Sequence, residues 1–248
     1  MLRLSMLRNG LVVAVVLALF CVAPARAAVV NLITEGSSGT LNGATFQQFD
    51  PAKSTGTGVI DSFLRVQKNN FEKGYNTDSG TLEFDEKGGG FTHSIQLGSI
   101  PTVTLGGIVY REFLLDINES SGGGNNILSL DALKIHIEDT GNLSGYPGVF
   151  SAAVYDMDAG GDNYVKLDAN LSSGSGDGDM LAFIPSSLFG SDQSKYVYLY
   201  CEFGDNYDSD GGFEEWAIGV GGPVLPEPGT MVLLASGGVG LLLRRRRS

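Results

Sequence analysis

Leu133-Lys134-Ile135-His136-Ile137-Glu138 alternates apolar and polar side chains without a break. A period of two puts Leu133, Ile135 and Ile137 on one face of a strand and Lys134, His136 and Glu138 on the other. Tyr196-Val197-Tyr198-Leu199-Tyr200-Cys201-Glu202-Phe203 is β-branched and aromatic, as a strand packed on a pleated surface wants. Outward from these two, residues 29–33, 44–49, 59–67, 81–84, 91–97, 100–105, 108–117, 149–155, 164–167, 180–184 and 213–220 read as further short strands. Glycine clusters at 88–90, 106–107, 122–124 and 211–212 punctuate them and supply the left-handed backbone that tight turns need. Outside the two ends of the chain no stretch has a 3.6-residue apolar period, and Pro185–Phe189 suggests a single helical turn. The expected fold is all-β, a sandwich or jelly roll. Residues 118–126 lack any apolar side chain and read as a surface loop.

The two ends follow a different logic. Arg3 and Arg8 precede an apolar run, Leu11–Val22, and then Ala25-Arg26-Ala27. A basic start, a short apolar run and two small residues one apart are the three parts of a secretory signal, with Ala25 and Ala27 read by signal peptidase. The run has 12 residues, short of the roughly 20 that span a bilayer. Phe20 before Cys21 is too large for lipoprotein processing. Residues 1–27 are therefore expected to be removed, leaving 28–222 as one exported domain.

At the other end, residues 223–248 hold Pro226-Glu227-Pro228, an apolar stretch from 229 to 243, and Arg244, Arg245, Arg246 and Arg247. Two prolines flanking a glutamate keep the backbone extended and out of a helix, a shape a protease can bind. The apolar stretch, as a membrane helix, is short and gains length from snorkelling arginines. Those arginines stay cytoplasmic by the positive-inside rule and leave the domain on the far side of the membrane. Order and spacing resemble the PEP-CTERM sorting signal of exported Gram-negative proteins. That resemblance implies recognition by exosortase, a membrane cysteine protease, and a transient inner-membrane anchor that is then removed. It also implies a link to exopolysaccharide and a final place at the cell surface or in the matrix. Gly56–Gln67, Gly74–Thr77 and Gly211-Gly212-Phe213-Glu214-Glu215-Trp216 resemble phrases that recur in such exported proteins and supply no activity.

Residues 28–226 carry 9 Lys and Arg against 27 Asp and Glu, a net of −18. Such a surface repels nucleic acid and anionic lipid and favours cations. Cys201 is the one cysteine left after signal removal, so no disulfide closes within the exported chain.

Chemistry-bearing motifs are sparse. There is no G-x-S-x-G, H-E-x-x-H or P-loop, and the two histidines, His93 and His136, read as half-exposed strand residues. The expected molecule is a non-catalytic envelope or exopolysaccharide-associated protein. Two alternatives stand beside it. One is a carbohydrate-binding module using exposed Tyr75, Tyr146 or Tyr207. The other is a secreted glycoside hydrolase, with Glu202, Glu214 and Glu215 as the acids. Two acidic loops, 156–163 and 205–212, bring Asp156, Asp158, Asp162, Asp205, Asp208 and Asp210 near glycine turns. They read either as calcium ligands, since calcium takes six to eight oxygens, or as ordinary hairpin turns. No other cofactor is suggested.

Overall fold

The computed structural model describes residues 27–49, 60–120, 126–172 and 178–219. Two seven-stranded sheets carry the domain. In the first, Val29–Asn31 (β1), Tyr164–Asp168 (β12), Ile127–Glu138 (β10), Tyr196–Phe203 (β14) and Glu72–Tyr75 (β6) lie side by side in that order. Tyr155–Asp156 (β11) pairs with β10, and Ile95–Gln96 (β7) pairs with β14. In the second, the order is Ser38–Leu41 (β2), Ala44–Gln48 (β3), Met180–Pro185 (β13), Ile108–Asp116 (β9), Glu214–Ile218 (β16) and Ser62–Val66 (β4). Thr102–Leu105 (β8) pairs with β9. A ribbon of Asn69–Asn70 (β5) and Ser209–Asp210 (β15) stands apart from both sheets.

The sheets face each other across an apolar interior, so the expected sandwich-like all-β architecture is present. Leu128, Leu130, Leu133, Ile135, Val197, Leu199, Cys201 and Phe203 of the first sheet are wholly buried, as are Phe46, Leu64, Phe113, Leu115, Ile184 and Trp216 of the second. Strand β10 holds both Leu128/Leu130 and Leu133/Ile135 on the interior face although their phases differ by one residue. A bulge between Leu130 and Ala132, opposite Phe203 and Glu202, makes the switch. The pattern that is clean over 133–138 therefore breaks just before it.

Several expected strands are shorter or absent. Residues 81–84 form no strand, and of 91–97 and 149–155 only short pairs at 95–96 and 155–156 do. Strands β2, β5, β6 and β15 were not expected. Residues 186–188 form the single 3-10 turn that the sequence suggests. Residues 118–120 are only partly surface: Glu119 is buried. Ala25, the prolines and glutamate at 226–228, the apolar stretch 229–243 and Arg244–Arg247 lie outside the described residues, while Ala27 is described and exposed. Among the described residues no helix is long and apolar enough to cross a membrane.

The polar face of β10 is also covered. Residues 139–151 and 76–86 fold over it and close a second, aromatic cluster of Tyr75, Tyr198 and Tyr200 with Phe84, Tyr146 and Phe150 against them. Tyr146 stacks on Tyr200 with centroids 4.2 Å apart and planes 9° apart. His136 is consequently buried rather than half-exposed. Its Nδ1 meets the Ser151 carbonyl oxygen at 2.8 Å, and burial lowers its pKa.

Candidate functional site

Where β7 joins the edge of β14, an open cleft of about 460 Å³ is lined by Asp61, Phe63, His93, Ser94, Ile95, Gln96, Ser99, Tyr196 and Ile218. The ring of Tyr196 forms a wall shared with a second depression of about 290 Å³, lined also by Asp78, Asp139, Thr140, Gly141 and Asn142. The wall exists because residue 141 has no side chain: a Cβ there would stand 2.7 Å from Tyr196 Cε1 and 2.5 Å from Ser94 Oγ. Ser94 ties the two depressions together. Its N–H donates to Asp78 Oδ1 at 2.9 Å and its hydroxyl donates to Asp78 Oδ2 at 2.6 Å. Burial pushes the Asp78 carboxyl up, but these two hydrogen bonds outweigh it and hold the group below the usual range. Lys195 pairs with Asp139 at the rim. His93 donates its backbone N–H to the Phe63 carbonyl at 2.9 Å, and its buried Nδ1 carries no hydrogen bond.

The lining thus sets the half-exposed ring of Tyr196 among carboxylates, amides and hydroxyls, together with His93, Ile218 and buried Phe63 and Ile95, with exposed Asp61, Gln96 and Ser99 at its mouth. An aromatic face with planar polar groups beside it suits the ring of a sugar, whose C–H face packs on the aromatic and whose hydroxyls need donors and acceptors. Sequence reasoning missed this place. Asp61, residues 93–99 and Tyr196 come from three separated segments, brought together by the hydrogen bond from His93 to Phe63 and by the pairing of Gln96 with Tyr196.

The aromatics expected to be exposed are not free platforms. Tyr75 is wholly buried and donates its hydroxyl to Glu83 Oε2 at 2.7 Å. Tyr146 is sandwiched in the same cluster. Tyr207 is half-buried beside Tyr164, with Lys166 Nζ 4.1 Å from its ring centre. The expected hydrolase acids separate onto different faces. Glu202 accepts the Tyr200 hydroxyl on the outer face of the first sheet. Glu215 accepts from Arg65 Nε at 2.8 Å on the second. Glu214, two residues before the core residue Trp216, is wholly buried. None of the three lines either depression described above.

Three of the six aspartates of the acidic loops, Asp156, Asp158 and Asp210, accept backbone N–H groups. Asp156 Oδ1 accepts the Asp158 N–H at 2.9 Å, and its Oδ2 pairs with Lys134 at 3.2 Å. Asp158 Oδ1 accepts the Asn163 N–H at 3.0 Å, and burial raises its pKa to about 6. Asp162, Asp205 and Asp208 are exposed. Asp210 Oδ2 accepts the Ser120 N–H at 2.7 Å. Among the described residues, no three His, Cys, Asp or Glu side chains stand together so as to hold a metal ion.

Residues 224–247 match the family model of the PEP-CTERM protein-sorting motif. The match covers the tail and marks an exported protein processed by exosortase. No curated protein and no solved structure matches the chain.

Proposed function

We propose that the exported domain is a non-catalytic envelope or exopolysaccharide-associated protein that holds polysaccharide in the cleft beside Tyr196. The sorting motif at 224–247 carries this reading, because it places the chain among exosortase substrates. The cleft supports the sugar-binding part through its Tyr196 wall and its ring of polar groups. The acidic surface, a net of −18 over residues 28–226, favours neutral polysaccharide, or acidic polysaccharide bridged by cations, over polyanions met directly. Signal peptidase removes 1–27, exosortase cuts near Pro226-Glu227-Pro228, and the inner membrane holds the chain only between the two events.

The test has two arms. Replacing Glu227, or Pro226 and Pro228 together, leaves an uncut, membrane-held species, read by mass spectrometry of the cell envelope. Replacing Tyr196 with alanine weakens retention on the producer's own exopolysaccharide by about fivefold, because each stacked ring contributes on the order of 1 kcal/mol and the cleft exposes one such tyrosine. Unchanged retention in Tyr196→Ala removes the cleft from the proposal. Release of reducing sugar from the polysaccharide favours the hydrolase instead.

A further inference from the structure

Strand β1 begins at Val29, one residue after the expected signal-peptidase site. It is an edge strand running parallel to β12, with Val30 opposite Val165 and buried in the interior. The nitrogen of Ala28 donates to Asn163 Oδ1 at 2.8 Å, and the Ala28 carbonyl accepts the Tyr164 N–H at 3.2 Å. Asn163 is buried at 6% exposure and clamped on its other groups. Its Nδ2 donates to the Met157 carbonyl at 2.7 Å and its N–H to Asp158 Oδ1 at 3.0 Å. Ala27, by contrast, is exposed. The turn that presents Asn163, residues 156–163, holds three aspartates and no lysine or arginine, and one of the three, Asp156, is paired with Lys134 of β10.

Signal peptidase hydrolyses the Ala27–Ala28 bond: water adds, the carboxylate leaves with Ala27, and the amine of Ala28 takes a proton near neutral pH. One amide N–H becomes three N–H donors bearing a positive charge. A charge-assisted hydrogen bond is about twice as strong as a neutral one. The acceptor is already fixed, so little ordering is lost when the bond tightens.

We infer that Asn163 and the acidic turn around it form a seat for the α-ammonium created by signal removal, so that cleavage completes the edge of the first sheet. The inference rests on reading Ala25 and Ala27 as the cleavage signal. An uncleaved chain offers the seat a neutral amide and trails its signal past the end of β1. A processed chain starts flush with the strand and pins it by its own charge.

The experiment uses the full exported chain with its tail, purified from the cell envelope in detergent. Edman sequencing fixes the start. A variant with Gly-Ser inserted after Ala27 is processed to a chain two residues longer, with an amide at position 28. Its melting temperature falls by several degrees below that of the chain starting at Ala28, and high salt narrows the gap. Asn163→Leu lowers the melting temperature of both chains, since the Met157 carbonyl loses its partner in each, but lowers it further in the flush chain. Asn163→Asp keeps an acceptor and preserves the gap. Equal melting of flush and extended chains overturns the seat, as does an Asn163→Leu loss of the same size in both. A start other than Ala28 overturns the inference at its premise and leaves the sorting and cleft readings untouched.

Discussion

The loops 156–163 and 205–212 are alike in composition, rich in aspartate and asparagine with two glycines each. In the fold they do different work. The first is held partly by its own aspartates and partly by Asn42 and Lys134 from outside it. Asp156 caps Asp158, Asp158 caps Asn163, and Asn42 Nδ2 reaches the Met157 carbonyl at 2.6 Å. The second is held by groups far away in the chain. Asp131 accepts the N–H of Asp205 at 2.7 Å and Asn206 Nδ2 at 2.8 Å. Glu119 Oε2 accepts the Asp210 N–H at 2.7 Å, and β15 pairs with β5. Near this second loop lie buried acids. Glu72 Oε1, Glu119 Oε1 and both carboxylate oxygens of Glu214 are buried without a hydrogen bond. The difference teaches that acidic turn composition fixes local geometry only. What a loop packs against depends on whether distant carboxylates meet its backbone N–H groups.

The largest expected contrast is between glycines. A Cβ on Gly212 would stand 1.8 Å from the Asn118 carbonyl oxygen, a backbone atom that cannot rotate away. Gly160 has φ +88° but nothing within 4 Å. Gly212→Ala therefore costs more than about 4 kcal/mol and yields little folded protein. Gly160→Ala costs about 1 kcal/mol, the penalty for a left-handed alanine. Urea denaturation of both variants reads the contrast, and equal losses would break it.

Next comes pH. Burial pushes Glu72 up to about 8 and Glu119 up to about 7, from an ordinary 4.5. The folded state therefore binds more protons than the unfolded chain between about pH 4.5 and 8, and stability falls as pH rises through that window. Asp158, raised to about 6, acts in the same direction over a narrower range. Glu72→Gln removes a part of the slope, which Glu119 and Asp179, itself pushed up to about 8 by burial, share, and it stabilises the protein near pH 8. Asp158→Asn removes only a small part of it at the acid end. Melting curves from pH 5 to 9 compare the two, and an unchanged slope in Glu72→Gln would sever the buried acids from the second loop.

The smallest expected effect is calcium. A bound ion at 100 times its dissociation constant adds about 2.7 kcal/mol. The oxygens of Asp156, Asp158 and Asp210 already accept backbone N–H groups, so the expected shift in melting temperature is close to zero in either loop. Melting with calcium, with chelator and with magnesium at matched ionic strength checks this. A shift with calcium alone, lost in Asp156→Asn with Asp158→Asn, would make the first loop a cation site.

Much of the fold is legible because β14 matches the expected strand at both ends and β10 ends as its alternation says. The strands that escaped notice carry no alternation of their own. Asn69-Asn70 and Glu72-Lys73-Gly74-Tyr75 are extended because β15 and β14 pair with them, a tertiary cause. The covered outer face left a trace: Tyr198 and Tyr200 alternate with core residues, so both faces of β14 are apolar. Reading that as a strand was correct, but reading His136 beside it as half-exposed ignored that such a strand needs cover on both sides. The sorting tail was legible because its parts are contiguous. The cleft was not, because no window of sequence contains it.

Cys201 illustrates what the interior makes measurable. Its thiol is wholly buried, with Sγ 3.8 Å from the Gly74 carbonyl oxygen, and burial raises its pKa well above the ordinary thiol value. As a protonated thiol shielded from solvent, it is inert to alkylating reagents while the sheets are closed. In a chain that starts at Ala28, Cys201 is the one thiol, and every labelled molecule records one opening of the interior around it. The chain thus carries its own clock for unfolding, and thiol labelling times the opening of the sandwich interior without any introduced probe.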